Sequence, residues 1–232
     1  MNHAVISGDI IASTSLNELG KAKIESNLNI LIQELRKKYN VYGRVLKGDY
    51  IECYIPEIVD VFRVALIIKS FVKSIKISVT DVNSDRGGRL KLFKTYGIRL
   101  AIGIGELSRL DLNNGIIDGE AIYFSGRIIN DDKTHNKEKV TIKNTLFIKS
   151  NDENLDKEIQ PVLTLIDLMI SKNTEKQCEV LYLKLLGYNE DYIVKKLKKR
   201  QSTVNEQSSI AGWNAIEKAV QRFEDVIKNK TV

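Results

Sequence analysis

Asp9 and Asp49 are the side chains of this sequence with the clearest capacity for chemistry. Asp9 closes a short apolar run that contains Val5 and Ile6, and Asp49 follows Gly48 at the tip of a hairpin signal between residues 43–47 and 50–55. If those strands are neighbours, both carboxylates project at one sheet edge, where their oxygens suit a hard divalent ion that also holds phosphates. On spacing alone, two turn aspartates are the simpler reading. Other metal-ligating types offer less. His3 and His135 have no cysteine or histidine at ligand spacing, which speaks against structural zinc. Cys53 and Cys178 lie 125 positions apart outside any paired motif and read as small core residues.

The elements that must position those acids follow from hydrophobic spacing. After the first strand, Leu16, Leu19, Ile24, Leu28, Leu31 and Leu35 form one buried stripe of a long helix. The hairpin comes next, and then Pro56 opens a second helix whose apolar face runs from Val59 and Phe62 to Val72. Residues 77–97 carry Arg86, Gly87, Gly88, Arg89, Lys91 and Lys94 and are expected to form an exposed basic hairpin or arm. Residues 99–106 are a strand, residues 121–129 a short helix with small residues at a close contact, and residues 140–142 and 146–148 a last hairpin. This order predicts an α+β fold of ferredoxin-like or cyclase-like design, an antiparallel sheet with its helices on one face.

Length and composition set the frame. With 232 residues, 43% hydrophobic and 28% charged, the chain suits one or two soluble domains and is neither disordered nor collagen-like. No apolar run approaches the roughly 18 residues of a membrane span, and no secretory leader is visible, so no membrane partner is expected and the cytoplasm is the expected location. Residues 1–150 are expected to form the α+β domain and residues 151–173 a linker or dimerisation helix. In that helix, Leu155, Ile159, Val162, Ile166 and Met169 follow a coiled-coil seam, and Pro161 argues against continuity. Residues 174–232 complete the chain as an all-α domain. From residue 172 onward there are 12 Lys and Arg against 8 Asp and Glu, net +4 of the chain's +6. Lys195, Lys196, Lys198, Lys199 and Arg200 form the densest run, either a phosphate-facing patch or a solvated helix end.

Four segments carry a resemblance. Residues 8–14 read GDIIAST, 48–51 GDYI, 99–106 RLAIGIGE and 119–128 GEAIYFSGRI. In this order, over about residues 3–148, they resemble the catalytic domain of class III nucleotidyl cyclases, with bacterial SatD-like proteins the nearest group. The resemblance implies that Asp9 and Asp49 bind two magnesium ions on a nucleoside triphosphate whose 3'-hydroxyl attacks the α-phosphate. It implies that Arg127 is the catalytic arginine stabilising charge on the phosphate, supplied across a homodimer interface. Its bland alternative is a surface helix cation. Two positions depart from the pattern: Tyr123 replaces the ribose-orienting asparagine, and Val45 replaces the purine-reading lysine, with Arg44 and Lys47 flanking it. Ile116 occupies the second base-reading position, close to Asp118. Arg44, Lys47, Asp118 and Tyr123 are the nucleotide-binding candidates, and base recognition is not inherited.

Residues 174–220 resemble the helix-turn-helix of LuxR-type regulators and of region four of bacterial sigma factors, through Gln177, Val180, Ile193, Leu197 and Gln201 to Val204. The resemblance implies that Gln201, Ser202, Thr203, Asn205 and Ser209 read DNA bases, with Lys198, Lys199 and Arg200 on phosphates. Lys198, Lys199 and Arg200 also replace the usual glycine, apolar residue and capping serine of the turn, and Glu206 repels phosphate. A helical docking module is the alternative. The expected protein is a homodimeric DNA-binding transcriptional regulator whose cyclase-like domain binds a nucleotide or phosphorylated ligand. An active nucleotidyl cyclase is the alternative.

Overall fold

Strand β1 (Asn2–Ile10) lies in the middle of the sheet, and its alternation decides what packs on each face. The structure, a computed structural model, describes residues 2–83, 88–130 and 144–231. Among these, β2 (Tyr42–Leu46), β3 (Tyr50–Ile55), β4 (Ile98–Asp111) and β5 (Ile116–Gly119) give the order β2-β3-β1-β4-β5, antiparallel throughout. Strand β6 (Leu146–Ser150) pairs with β4 in parallel. The last hairpin is therefore corrected for its second half: β6 finds its partner in β4. Residues 140–142 lie outside the described residues.

Ala4, Ile6 and Ile10 point into the main core with α1 (Glu18–Tyr39) and α2 (Val61–Ser74). Val5 points the other way, into a second cluster with Tyr54, Ile117 and Ala121. Helix α4 (Glu120–Asn130) covers that second face, with the hydroxyls of Ser7 and Ser125 2.8 Å apart. Helices thus lie on both faces, not one. The reason is the spacing of Val5 and Ser7, which gives the reverse side of β1 small and apolar residues that need a cover. Gly103 permits the close approach, since a Cβ there would collide with the Ala121 carbonyl.

Residues 77–97 differ most from expectation. Only 84–87 of that stretch lie outside the described residues, and the rest holds a 3-10 turn, Val79–Asp81, and helix α3 (Leu90–Tyr96). Leu90 and Phe93 are buried three residues apart, a helical period concealed by the surrounding basic residues. Leu19, placed on the buried stripe of α1, is instead 72% exposed, because five residues before Ile24 is about 140° round the helix from that stripe.

The C-terminal helices are α5 (Glu153–Lys172), α6 (Glu175–Leu185), α7 (Glu190–Leu197), α8 (Gln201–Ile210) and α9 (Trp213–Thr231). Helix α5 runs continuously through Pro161, which corrects the expectation that the proline divides it. Its Leu155, Ile159 and Ile166 are buried in this chain's own core, so the heptad seam is not left for a partner helix. One hydrophobic cluster runs from the sheet through α1 and α2 into α5–α9. Phe62 stacks on Phe223 at 5.0 Å and Phe71 meets Tyr182 edge-on at 5.1 Å, while Arg63 pairs with Glu224 at 2.6 Å.

Two buried lysines of α2 fasten this arrangement. The Lys69 ammonium donates to the carbonyls of Tyr96 and Ile98 at 2.8 and 2.7 Å, to the Thr145 hydroxyl, and lies 3.3 Å from Asp167. Lys73 donates to the carbonyls of Thr95 and Ser171 at 2.8 and 2.7 Å. Burial lowers both ammonium pKa values, that of Lys73 to about 8, and the full set of acceptors offsets the desolvation. α3, the start of β4 and α5 are thereby tied to one helix.

Gly103→Ala is expected to destabilise the fold by about 1–3 kcal/mol, the usual cost of overpacking, because backbone faces the added carbon and cannot rotate away. A urea unfolding series on the purified variant checks this.

Candidate functional site

The two acids predicted to matter are brought to one edge. Asp9 lies opposite Tyr50 in the β1–β3 register, and the Ile10 amide donates to the Asp49 carbonyl at 3.0 Å. Burial and the neighbouring Asp49 charge push the Asp9 carboxyl up to about 6, and Arg99 pulls the other way. Arg99 is Asp9's cross-strand partner on β4 and is almost fully buried. The edge therefore concentrates negative charge that one guanidinium only partly offsets.

Beside it opens a cleft of about 350 Å³ whose polar lining comes from Ser13, Thr14, Lys21, Lys47, Gly48 and Asp49. Its walls are two turns with left-handed backbone. Ala12 has φ 61° and leads the Ser13–Ser15 3-10 turn between β1 and α1. Lys47 has φ 54° and Gly48 φ 80° in the β2–β3 turn. Left-handed backbone at Ala12 and Lys47 costs roughly 1–2 kcal/mol each and is held by the turns on either side. Asp9 is not itself in the lining; Asp49 joins the carboxylate pair to the cleft.

These donors fit a divalent cation with a phosphorylated ligand. Carboxylate oxygens are the ligands Mg2+ or Mn2+ prefer, a cation would relieve the charge that raises Asp9, and lysine and hydroxyl groups suit phosphate oxygens. Among the described residues no group of three or more His, Cys, Asp or Glu is placed to hold a metal, so any such ion would take its remaining ligands from solvent or from the ligand's own oxygens.

The remaining candidates lie elsewhere. The Arg44 guanidinium donates to Glu52 at 2.8 Å and to the Gly115 carbonyl, which clasps the β4–β5 turn against β2. The Tyr123 hydroxyl donates to Asp118, which also accepts from Ser108, and Arg127 sits 5.9 Å from the Tyr123 ring. Tyr123 and Arg127 line a separate surface groove along α4 with Ile122, Gly126, Ile128 and Asn130. That groove shares no residue with the cleft at Asp49. Within one chain, Arg127 does not line the cleft of the paired aspartates. The sequence reading missed Lys21, Ser13, Thr14 and Arg99 as site residues. Ser13 and Thr14 left a signal inside the GDIIAST segment, and Arg99 left one as a cation between Ile98 and Leu100 in an apolar strand.

At the other end, α7, residues Lys198–Arg200 and α8 follow one another closely, with Ile193 and Val204 buried. Gln201, Ser202, Asn205 and Ser209 are exposed, and Thr203 is half-buried. Lys198 and Arg200 are exposed, whereas Lys199 is bound to Glu179 at 2.9 Å and to Gln207 at 3.1 Å. The Asn205 amide lies against the Glu190 carboxylate, and the orientation that satisfies both turns its nitrogen toward Glu190, 2.7 and 3.0 Å from the two oxygens. Lys199 and Asn205 thus have intramolecular partners.

No protein-family model matches the sequence, and no curated protein matches it. Two solved structures of bacterial light-regulated adenylyl cyclases are similar at 14% and 15% identity. The first covers 63% of this chain and 74% of its own with a TM-score of 0.41, the second 64% and 43% with a TM-score of 0.40. Among the described residues no helix is long and apolar enough to cross a membrane.

The raised Asp9 pKa sets a direction for stability. In the folded chain Asp9 holds its proton up to about pH 6, against an ordinary value of 3.8, so the folded state binds more protons and stability falls as pH rises from about 4 to about 6. Asp9→Asn is expected to flatten that decline and to raise the melting temperature at pH 7, which a pH series of thermal melts checks.

Proposed function

We propose that this chain binds a nucleoside triphosphate or a related phosphorylated ligand together with a divalent cation. Support comes from one observation above the others: Asp49, whose charge acts on Asp9, lines a cleft together with Lys21, Lys47, Ser13 and Thr14. Asp9 and Asp49 would hold the ion, Mg2+ or Mn2+, which when bound neutralises phosphate charge. Lys47 and Lys21 would bind phosphate oxygens, and the hydroxyls of Ser13 and Thr14 would orient them. The backbone turn at Gly48 keeps Asp49 at the rim.

Cyclisation, in this reading, needs a second copy. The groove holding Tyr123 and Arg127 is separate from the cleft in one chain, so Arg127 would meet a bound phosphate only across a homodimer. Tyr123 is engaged by Asp118 and would contact ribose only if that bond opens.

Titration calorimetry with each of four nucleoside triphosphates, with and without Mg2+, tests the proposal. Metal-dependent binding that weakens at least tenfold, about 1.4 kcal/mol, in Asp49→Asn is the expected result. Binding indifferent to both metal and variant would overturn it. Mass spectrometry of the same mixtures shows whether a cyclic product forms.

The exposed N-terminal half of α8 favours a second role, a DNA-binding transcriptional regulator, with Gln201 and Ser202 toward bases and Lys198 and Arg200 on phosphates. In gel shifts of genomic duplex fragments, salt-sensitive complexes are expected. Lys198→Ala should weaken them uniformly across sequences, and Gln201→Ala should relax their preference. Absence of any shifted complex at low salt would remove this role.

A further inference from the structure

Helix α1 ends in a basic turn with Lys37 and Lys38, and α7 carries Lys195 and Lys196; the fold brings these two ends together around a pair of tyrosines. Lys38 lies 3.8 Å from the centre of the Tyr188 ring and donates to the Leu186 carbonyl. Tyr188 stacks on Tyr192 with centroids 4.1 Å apart and an interplanar angle of 16°. Lys196 lies 5.6 Å from both rings. On α7, Tyr192 and the lysines three and four residues later share one face. Tyr192 is 41% exposed, and Lys37, Lys38, Lys195 and Lys196 are all exposed.

Two of the acids beside this patch are engaged by neighbours. Glu34 accepts from the Tyr188 hydroxyl at 2.9 Å, and Glu190 is paired with Lys184 at 2.9 Å. Asp191 on the first turn of α7 is a further acid of the same helix. A flat aromatic stack that leaves area open, flanked by lysines on two helices, combines the two features that hold an unpaired nucleotide strand: a ring for a base and cations for its phosphates. Duplex DNA has its bases stacked already and would use only the lysines.

We propose that the surface formed by Lys37, Lys38, Tyr188, Tyr192, Lys195 and Lys196 binds single-stranded nucleic acid, with one base stacked on Tyr192 and the neighbouring phosphates on the lysines. It uses neither the cleft at Asp49 nor the N-terminal residues of α8, so its fate is separable from both roles proposed above.

Fluorescence anisotropy of the full chain with labelled single-stranded DNA, single-stranded RNA and duplex DNA, at several salt concentrations, is the test. Single strands are expected to bind more tightly than the duplex. The double variant Lys195→Glu and Lys196→Glu changes only exposed side chains and should weaken binding at least tenfold. It should also lower the salt slope by about 1.4, two phosphate contacts at about 0.7 each. Tyr192→Ala should cost about 5- to 160-fold, whereas Tyr192→Phe keeps the ring and should stay within about twofold. No binding to single strands, or binding unchanged in the lysine double variant, overturns the proposal. So does strand binding lost in Gln201→Ala but kept in Tyr192→Ala, which would place the contact on α8. Equal or tighter binding to phosphatidylserine vesicles reassigns the surface to a membrane and also overturns it. Loss of duplex binding alone in Gln201→Ala leaves this surface standing.

Discussion

A carboxylate held where its own charge is penalised is the constraint around which this molecule is arranged. Asp9 sits at the end of the central strand, partly withdrawn from water, with Asp49 on one side and Arg99 on the other. A fold selected for stability alone would place asparagine or an apolar residue there, since an ionised acid with a like charge beside it costs free energy. The strain at Ala12 and Lys47 lies in the two turns that flank the same point. Three unfavourable local features therefore fall within one small region, the kind of clustering that motivates the binding role proposed for it.

What keeps that region in place lies some distance from it. Central β1 is packed on both faces, by α1 and α2 on one and by α4 on the other, so its end cannot shift without disturbing two cores. Lys69 and Lys73, buried in α2, take the carbonyls that end α3 and open β4, and so fix the strand that carries Arg99. The charges in this core are stabilised by full hydrogen bonding, whereas the charge at Asp9 is left in excess. That contrast separates scaffold from site more clearly than burial does.

The helical half is not a loosely tethered unit. Phe62 on Phe223 and Arg63 on Glu224 join α9 to α2, and the hydroxyls of Tyr39 and Tyr188 bond across the α1–α6–α7 junction. One core serves both halves, running from the sheet to Ile193 of α7 and Val204 of α8.

Much of this was legible in the sequence. Hydrophobic spacing determined β1, α1, the β2–β3 hairpin, α2 and α4, and the Gly48–Asp49 turn placed an acid at a hairpin tip, because such patterns depend only on neighbours along the chain. Helices α6 and α7 were equally plain, with Asn189 capping α7 by accepting from the Tyr192 amide at 2.9 Å, whereas the periodic run from Ser202 to Ile227 reads as one long helix and is divided at Gly212, φ 79°, into α8 and α9. Tertiary structure decided the rest: that Asp9 and Asp49 share an edge, that α4 crosses the second face at Gly103, and that α3 buries Leu90 and Phe93 under a basic exterior. It also decided that Arg44, Lys199 and Asn205 have internal partners and that the lysines of α1 and α7 meet around Tyr188. Each of these is a contact between residues far apart in the chain, and such contacts depend on the crossing of elements, which no local period encodes.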